Sequence, residues 1–219
     1  MLIVPEIQTV VIQPPRTGST ALRDAVQATF PNAITLYRHM ERPGIPAGYE
    51  NWRVVCLVRD PFERMVSIYN YMSDFRPTSK PGGGASEAWI ERMRNDTDRP
   101  FAEWLAQSAE VFTDPIDHDG SFLPYYNVLD KTPIAQKSQY RWARPDMGPV
   151  TLIDIQEAIK LYDILGIQVE KVNASVRRTR PERCSKVQAI LESRFKWDLD
   201  VTTKLVMGEA GSGEIEYAL

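Results

Sequence analysis

Thr9-Val-Val-Ile12-Gln13-Pro14-Pro15-Arg16-Thr17-Gly18-Ser19-Thr20 is the stretch on which the fold turns. A short apolar run, Thr9–Ile12, passes through Gln13–Gly18 into a helical pattern that extends from Ser19 to Phe30. An apolar strand leading into a helix is the opening of a buried, parallel-sheet arrangement. At such a turn the first backbone N–H groups of the helix lack intrahelical partners and point the same way, so an anion can be held there. Pro15–Thr20 adds a glycine where the chain must pass close, small hydroxyls as further donors, and one fixed cation, Arg16. The segment by itself fits two descriptions. One is an anion cradle, and the other is an ordinary helix start with Ser19 or Thr20 as cap and Arg16 in solvent.

Working outward, strand-like runs recur at Ala33–Tyr37, Arg53–Val58 and Val150–Asp154. With the helices between them they predict an α/β fold: a three-layer sandwich with a central parallel sheet flanked by helices, of the P-loop NTPase-like kind. Asp60-Pro61 predicts a helix start right after the third run, with Asp60 as N-cap and Phe62, Met65, Val66, Tyr69 and Met72 as its buried stripe. Further helical patterns fall at Ser86–Arg94, Pro100–Gln107, Ile155–Leu165, Pro181–Arg194 and Asp198–Met207. Arg76–Ala85, with two prolines and three glycines, is expected to be a mobile loop able to close over a site. Phe122–Trp142 is expected to be irregular and aromatic-rich, and a flexible tail is expected from about residue 208. The whole of 1–219 is expected to form a single domain.

The 219 residues are 43% hydrophobic, enough for a sizeable core, and their formal net charge is −3. That balance offers no general attraction to nucleic acid or to an anionic membrane, so any anionic ligand must be held by local arginines and lysines. Cys56 and Cys184 form neither a disulfide framework nor a zinc spacing, and both are expected to be structural. Met1–Glu6 lacks a basic leader, and no apolar run approaches the roughly 18 residues of a membrane span, so a soluble cytoplasmic protein is expected.

A nucleoside-triphosphate loop of the Gly-x-x-x-x-Gly-Lys-Ser/Thr type is the nearest alternative for Pro15–Thr20, but the first glycine is missing and the cation precedes Gly18. The segment more closely resembles the phosphosulfate-binding loop of sulfotransferases that use 3′-phosphoadenosine-5′-phosphosulfate (PAPS). Arg59-Asp-Pro-Phe-Glu-Arg64-Met-Val-Ser67-Ile-Tyr69 is similar to their second signature, which binds the 3′-phosphate. Weaker echoes at Gln139-Tyr140, Ile153-Asp154, Asn173-Ala-Ser175 and Arg194–Leu199 resemble the branch whose better-known members sulfate carbohydrates. Arg16 departs from the cytosolic small-molecule enzymes, which carry Lys at that place.

The resemblance implies PAPS as sulfuryl donor, 3′-phosphoadenosine 5′-phosphate (PAP) as product, no metal, and a small-molecule or carbohydrate acceptor. It implies cofactor contacts from Arg16, Thr17, Gly18, Ser19, Thr20, Arg59 and Ser67, joined by Arg177 and Arg178 from the basic run that ends at Arg180. That run also fits a solvated basic turn. Arg16 is implied to act on the leaving phosphate. His39, close behind the second strand-like run, matches the family's catalytic base, a surface histidine is the other description, and Glu41 is the substitute base. His118, in an acidic turn-rich segment, fits a solvated loop residue. Trp52, Tyr125, Tyr126, Tyr140 and Trp142 are candidates for stacking on a base or sugar, or for the core. The competing functions are a P-loop nucleotide or nucleoside kinase and a non-catalytic nucleotide-binding module.

Overall fold

The computed structural model describes residues 1–36, 39–74, 87–111, 130–156, 158–168 and 180–207. Among them are strands β1 (Leu2–Val4), β2 (Thr9–Ile12), β3 (Ile34–Thr35), β4 (Arg53–Val58) and β5 (Thr151–Asp154). The helices are α1 (Ser19–Thr29), α2 (Pro61–Ser73), α3 (Glu87–Thr97), α4 (Phe101–Gln107), α5 (Tyr140–Ala143), α6 (Ala158–Leu165), α7 (Ser185–Arg194) and α8 (Lys196–Met207).

The five strands make one open sheet in the order β3-β1-β2-β4-β5. β2, β4 and β5 are parallel neighbours, with Val11 opposite Val55 and Leu57 opposite Ile153. The central parallel part is as expected, but the sheet as a whole is not parallel: β1 pairs antiparallel with both β2 and β3, so the sheet is mixed. Leu2–Val4 is apolar and fully buried, and only a tight turn separates it from β2. Gln8 makes that turn in the left-handed region, at φ +45°. A connection this short returns the chain beside itself, which forces antiparallel pairing and moves β3 out to the edge. β3 is therefore shorter than the expected Ala33–Tyr37 run, and both of its residues are exposed.

Alternation along the strands sends side chains to two separate cores. On one face Leu2, Val4, Val11, Val55, Leu57 and Ile153 pack with Leu22 and Val26 of α1 and Leu161 and Leu165 of α6. On the other, Ile3, Val10, Ile12, Val54, Cys56, Val58 and Leu152 meet α2, α3, α4, α7 and α8. Cys56 lies wholly inside that second core, where burial pushes its thiol pKa up. No described helix is long and apolar enough to cross a membrane.

This arrangement has one consequence for ligand binding. β2 and β4 are adjacent and parallel, yet the helix that follows β2 covers one face and the helix that follows β4 covers the other. The segments leaving β2 and β4 therefore part toward opposite faces beyond the carboxyl ends of these strands, the place where open α/β sheets hold ligands.

Candidate functional site

Gln13–Gly18 leaves the end of β2 and turns sharply into α1. Arg16 and Gly18 both lie in the left-handed region, at φ +67° and +76°. Glycine takes that conformation freely, whereas arginine needs outside support. Because Gly18 is the N-cap, no side chain caps the first turn of α1. Thr17 is buried and its hydroxyl donates back to the Pro14 carbonyl at 2.7 Å, so the hydroxyl stabilises the turn. Gly18 and Thr20 are exposed and Ser19 is half-buried at the mouth of the turn.

The second element starts one strand over. Asp60 caps α2 by accepting from the Glu63 N–H at 2.9 Å, with Pro61 in the first turn, as the sequence predicts. Arg59 and Ser67 then meet the first loop beyond the strand ends. The Arg16 Nε donates to Ser67 Oγ at 3.0 Å, and Arg59 Nη1 donates to the Arg16 carbonyl at 3.2 Å. Residues 51 positions apart in sequence are thus in direct contact.

Electrostatics at this point favour an anion. Burial lowers the Arg16 pKa, Tyr71 works against it, and the neighbouring Arg59 charge lowers it further. Arg59 is likewise lowered by burial, opposed by Glu63, Asp154 and Asp60. Arginine starts so high that both remain cationic at neutral pH. The Arg16 guanidinium lies 4.8 Å from the centre of the Tyr71 ring, and Glu63 sits 4.0 Å from Arg59 while also pairing with Arg180.

His39 is tied to the same loop. Its Nδ1 lies 2.9 Å from the Gln13 carbonyl oxygen. A carbonyl can only accept, so Nδ1 carries a proton, and in the neutral ring Nε2 is the nitrogen left to take one. Gln13 in turn contacts the Ser19 carbonyl through its side-chain amide at 3.4 Å. Glu41 is placed differently. It is buried, ion-paired with Lys137, and accepts twice from the Asp130 N–H at 3.1 and 3.0 Å. Burial raises its pKa and Lys137 opposes the rise.

Three neighbours support the site in ways that the sequence does not indicate, although Arg64 and Gln139 stand in quoted motifs and Trp142 among the aromatic candidates. Gln139 clasps the Arg59 peptide, accepting from its N–H at 2.9 Å and donating to its carbonyl at 2.8 Å. Trp142, a stacking candidate in the sequence, is 3% exposed and belongs to the core, with its indole N–H on the His39 carbonyl at 3.0 Å. Arg64 is fully buried in α2 and donates to the Pro15 carbonyl at 3.2 Å. Its spacing, three residues before Ser67 in the second motif, is the one available hint. Tyr140 rests edge-on against Trp197 and Trp52 against Tyr49.

Arg177, Arg178, His118, Tyr125, Tyr126, the 76–85 segment, Asn173–Ser175 and the tail from 208 lie outside the described residues. Among the described residues no group of three or more His, Cys, Asp or Glu side chains could hold a metal ion. Compared with protein-family models, curated proteins and solved structures, the chain matches none. The family resemblance therefore rests on sequence motifs alone.

Proposed function

We propose that this chain is a PAPS-dependent sulfotransferase. The observation that carries the reading is the Arg16–Ser67 contact. It brings the loop suited to a 5′-phosphosulfate and the helix suited to a 3′-phosphate together. A glycine-capped helix start beside two like-charged guanidiniums fits a ligand with anionic groups at both ends, because an anion between Arg16 and Arg59 relieves their mutual repulsion.

PAPS supplies an activated sulfuryl group whose transfer needs positioning and charge stabilisation more than covalent help. Arg16 and the first N–H groups of α1 neutralise charge on the leaving 5′-phosphate and on the sulfuryl oxygens. Arg59 and Ser67 bind the 3′-phosphate. The acceptor oxygen or nitrogen bonds to sulfur as the bridging S–O bond to the phosphate breaks, and PAP leaves. His39 takes the acceptor's proton on Nε2, the nitrogen that its bond to Gln13 leaves unprotonated. Glu41, already held by Lys137 and the Asp130 N–H, is less suited to that task. The acceptor is a small molecule or a carbohydrate, and the protein works in the cytoplasm.

A thermal-shift comparison of PAP, adenosine 5′-phosphate and ATP with magnesium tests the reading. A ligand at 100 times its Kd stabilises the native state by about 2.7 kcal/mol, so the preferred nucleotide gives the largest rise in Tm. PAP is expected to lead. Equal or greater stabilisation by ATP with magnesium would favour a kinase and sink the sulfotransferase.

A further inference from the structure

Arg64 is the charged side chain most deeply set in α2, and the proposed chemistry leaves it without a role. Burial draws its pKa down to about 10, with Asp198 as the main opposing charge. Its Nε serves the Pro15 carbonyl and its Nη1 the Lys137 carbonyl at 3.0 Å, while Nη2 has no hydrogen-bond partner among the described residues. Desolvating a guanidinium and leaving a donor unpaired both cost stability, and an apolar side chain would pack here at less expense. What Arg64 provides that an apolar residue cannot is a grip on main-chain carbonyls.

Those carbonyls matter because of where they would otherwise point. An oxygen aimed at a bound anion repels it, so a cradle works only if its carbonyls are turned elsewhere and its N–H groups face the ligand. In this loop three successive carbonyls are turned onto donors: Pro14 onto the Thr17 hydroxyl, Pro15 onto Arg64, and Arg16 onto Arg59. Arg64 and Arg59 thereby hold the peptides on either side of Arg16, the non-glycine residue at φ +67°. Such a conformation persists when its surroundings over-determine it.

A second link runs from the same guanidinium. Its central carbon lies 5.0 Å from the centre of the Trp142 ring, and Trp142 holds the His39 carbonyl. Lys137, whose carbonyl Arg64 also holds, places its ammonium 4.3 Å from that ring.

We propose that Arg64 is a positioning residue that pre-sets the anion cradle, holding the Pro15 carbonyl turned away from the ligand and joining the cradle, through Trp142, to the segment that carries His39. The inference rests on the proposed function for the nature of the anion.

Arg64→Lys keeps the charge but loses the planar fork that serves two carbonyls at once. Amide hydrogen exchange over residues 16–20 should become about tenfold faster in this variant, with β2 and β4 unchanged, and the Kd for PAP should weaken about tenfold. Unchanged exchange in 16–20, or acceleration spread evenly through the sheet, overturns the positioning role whether or not PAP binds. If the unmodified chain fails to bind PAP, the sulfotransferase reading falls, and the exchange result still decides the role of Arg64. If Arg64→Lys does not fold, the unmodified protein with ¹⁵N-labelled arginine gives the answer. Its Arg64 Nε proton should exchange about a hundredfold more slowly than that of an exposed arginine such as Arg180, and equal rates would overturn the proposal.

Discussion

A histidine becomes a base when something fixes which nitrogen carries the proton, and at His39 that partner is the Gln13 carbonyl. Gln13 opens the turn that forms the candidate anion cradle, so the same turn also orients the candidate base. His39→Ala should lower transfer by about 10²–10⁴-fold while leaving PAP affinity nearly unchanged. Labelled PAPS screened against an acceptor panel measures the first quantity and calorimetry the second; a large loss of PAP affinity would place His39 in the nucleotide site instead. Arg16, Arg59, Ser67 and His39 were legible as candidates because each carries chemistry in a recognisable spacing. Arg64 and Gln139 stand in quoted motifs, but their roles were not legible. Their contribution lies in main-chain carbonyls and amides they contact, and those partners are 49 and 80 residues away.

At the scale of elements, the two helix starts were legible and the strand between cradle and edge was not. Asp60-Pro61 and Ser19 mark helix beginnings by local chemistry, and α2 and α1 start where those residues stand. Gly18 gives a direct test of the first. A Cβ there would meet nothing nearer than Ile155 Cγ2 at 4.0 Å, so the penalty for a side chain comes from the backbone at φ +76° and not from crowding. Gly18→Ala should therefore destabilise the protein by about 1 kcal/mol in urea unfolding. No loss would mean that the turn is not left-handed in solution. β1 shows the opposite case: Leu2–Val4 is apolar enough for a strand, but its direction depends on the short turn from Pro5 to Gln8 and on pairing with two other strands. Local sequence does not state either of those.

Across the whole molecule, Asp198 of α8 reaches back to the site. Its carboxylate accepts from the Ser138 hydroxyl at 2.8 Å and the Gln139 N–H at 2.9 Å, and Gln139 clasps Arg59. Burial raises the Asp198 pKa from 3.8 to about 6, opposed by Arg64 and by the bonds from Ser138 and Gln139. Between those values the native state holds a proton that the unfolded chain releases, so this group's contribution to stability falls as pH rises through the window and stays low above it. Asp198→Asn keeps an acceptor oxygen and removes the titration. Its stability relative to the unmodified protein should improve between about pH 4.5 and pH 7 in urea unfolding, and a constant difference would refute the raised pKa. Periodicity and capping residues determined by themselves that this is an α/β chain, and the two arginine-bearing motifs marked two strand ends as candidates for phosphate-type chemistry. Those signals act over a few residues and survive in a one-dimensional string. Only the tertiary structure decided that the sheet is mixed, that α1 and α2 part to opposite faces beyond the strand ends, and that buried Arg64, Trp142 and Gln139 support the candidate site. Such contacts are made between segments distant in sequence, where burial, not local propensity, selects the partner.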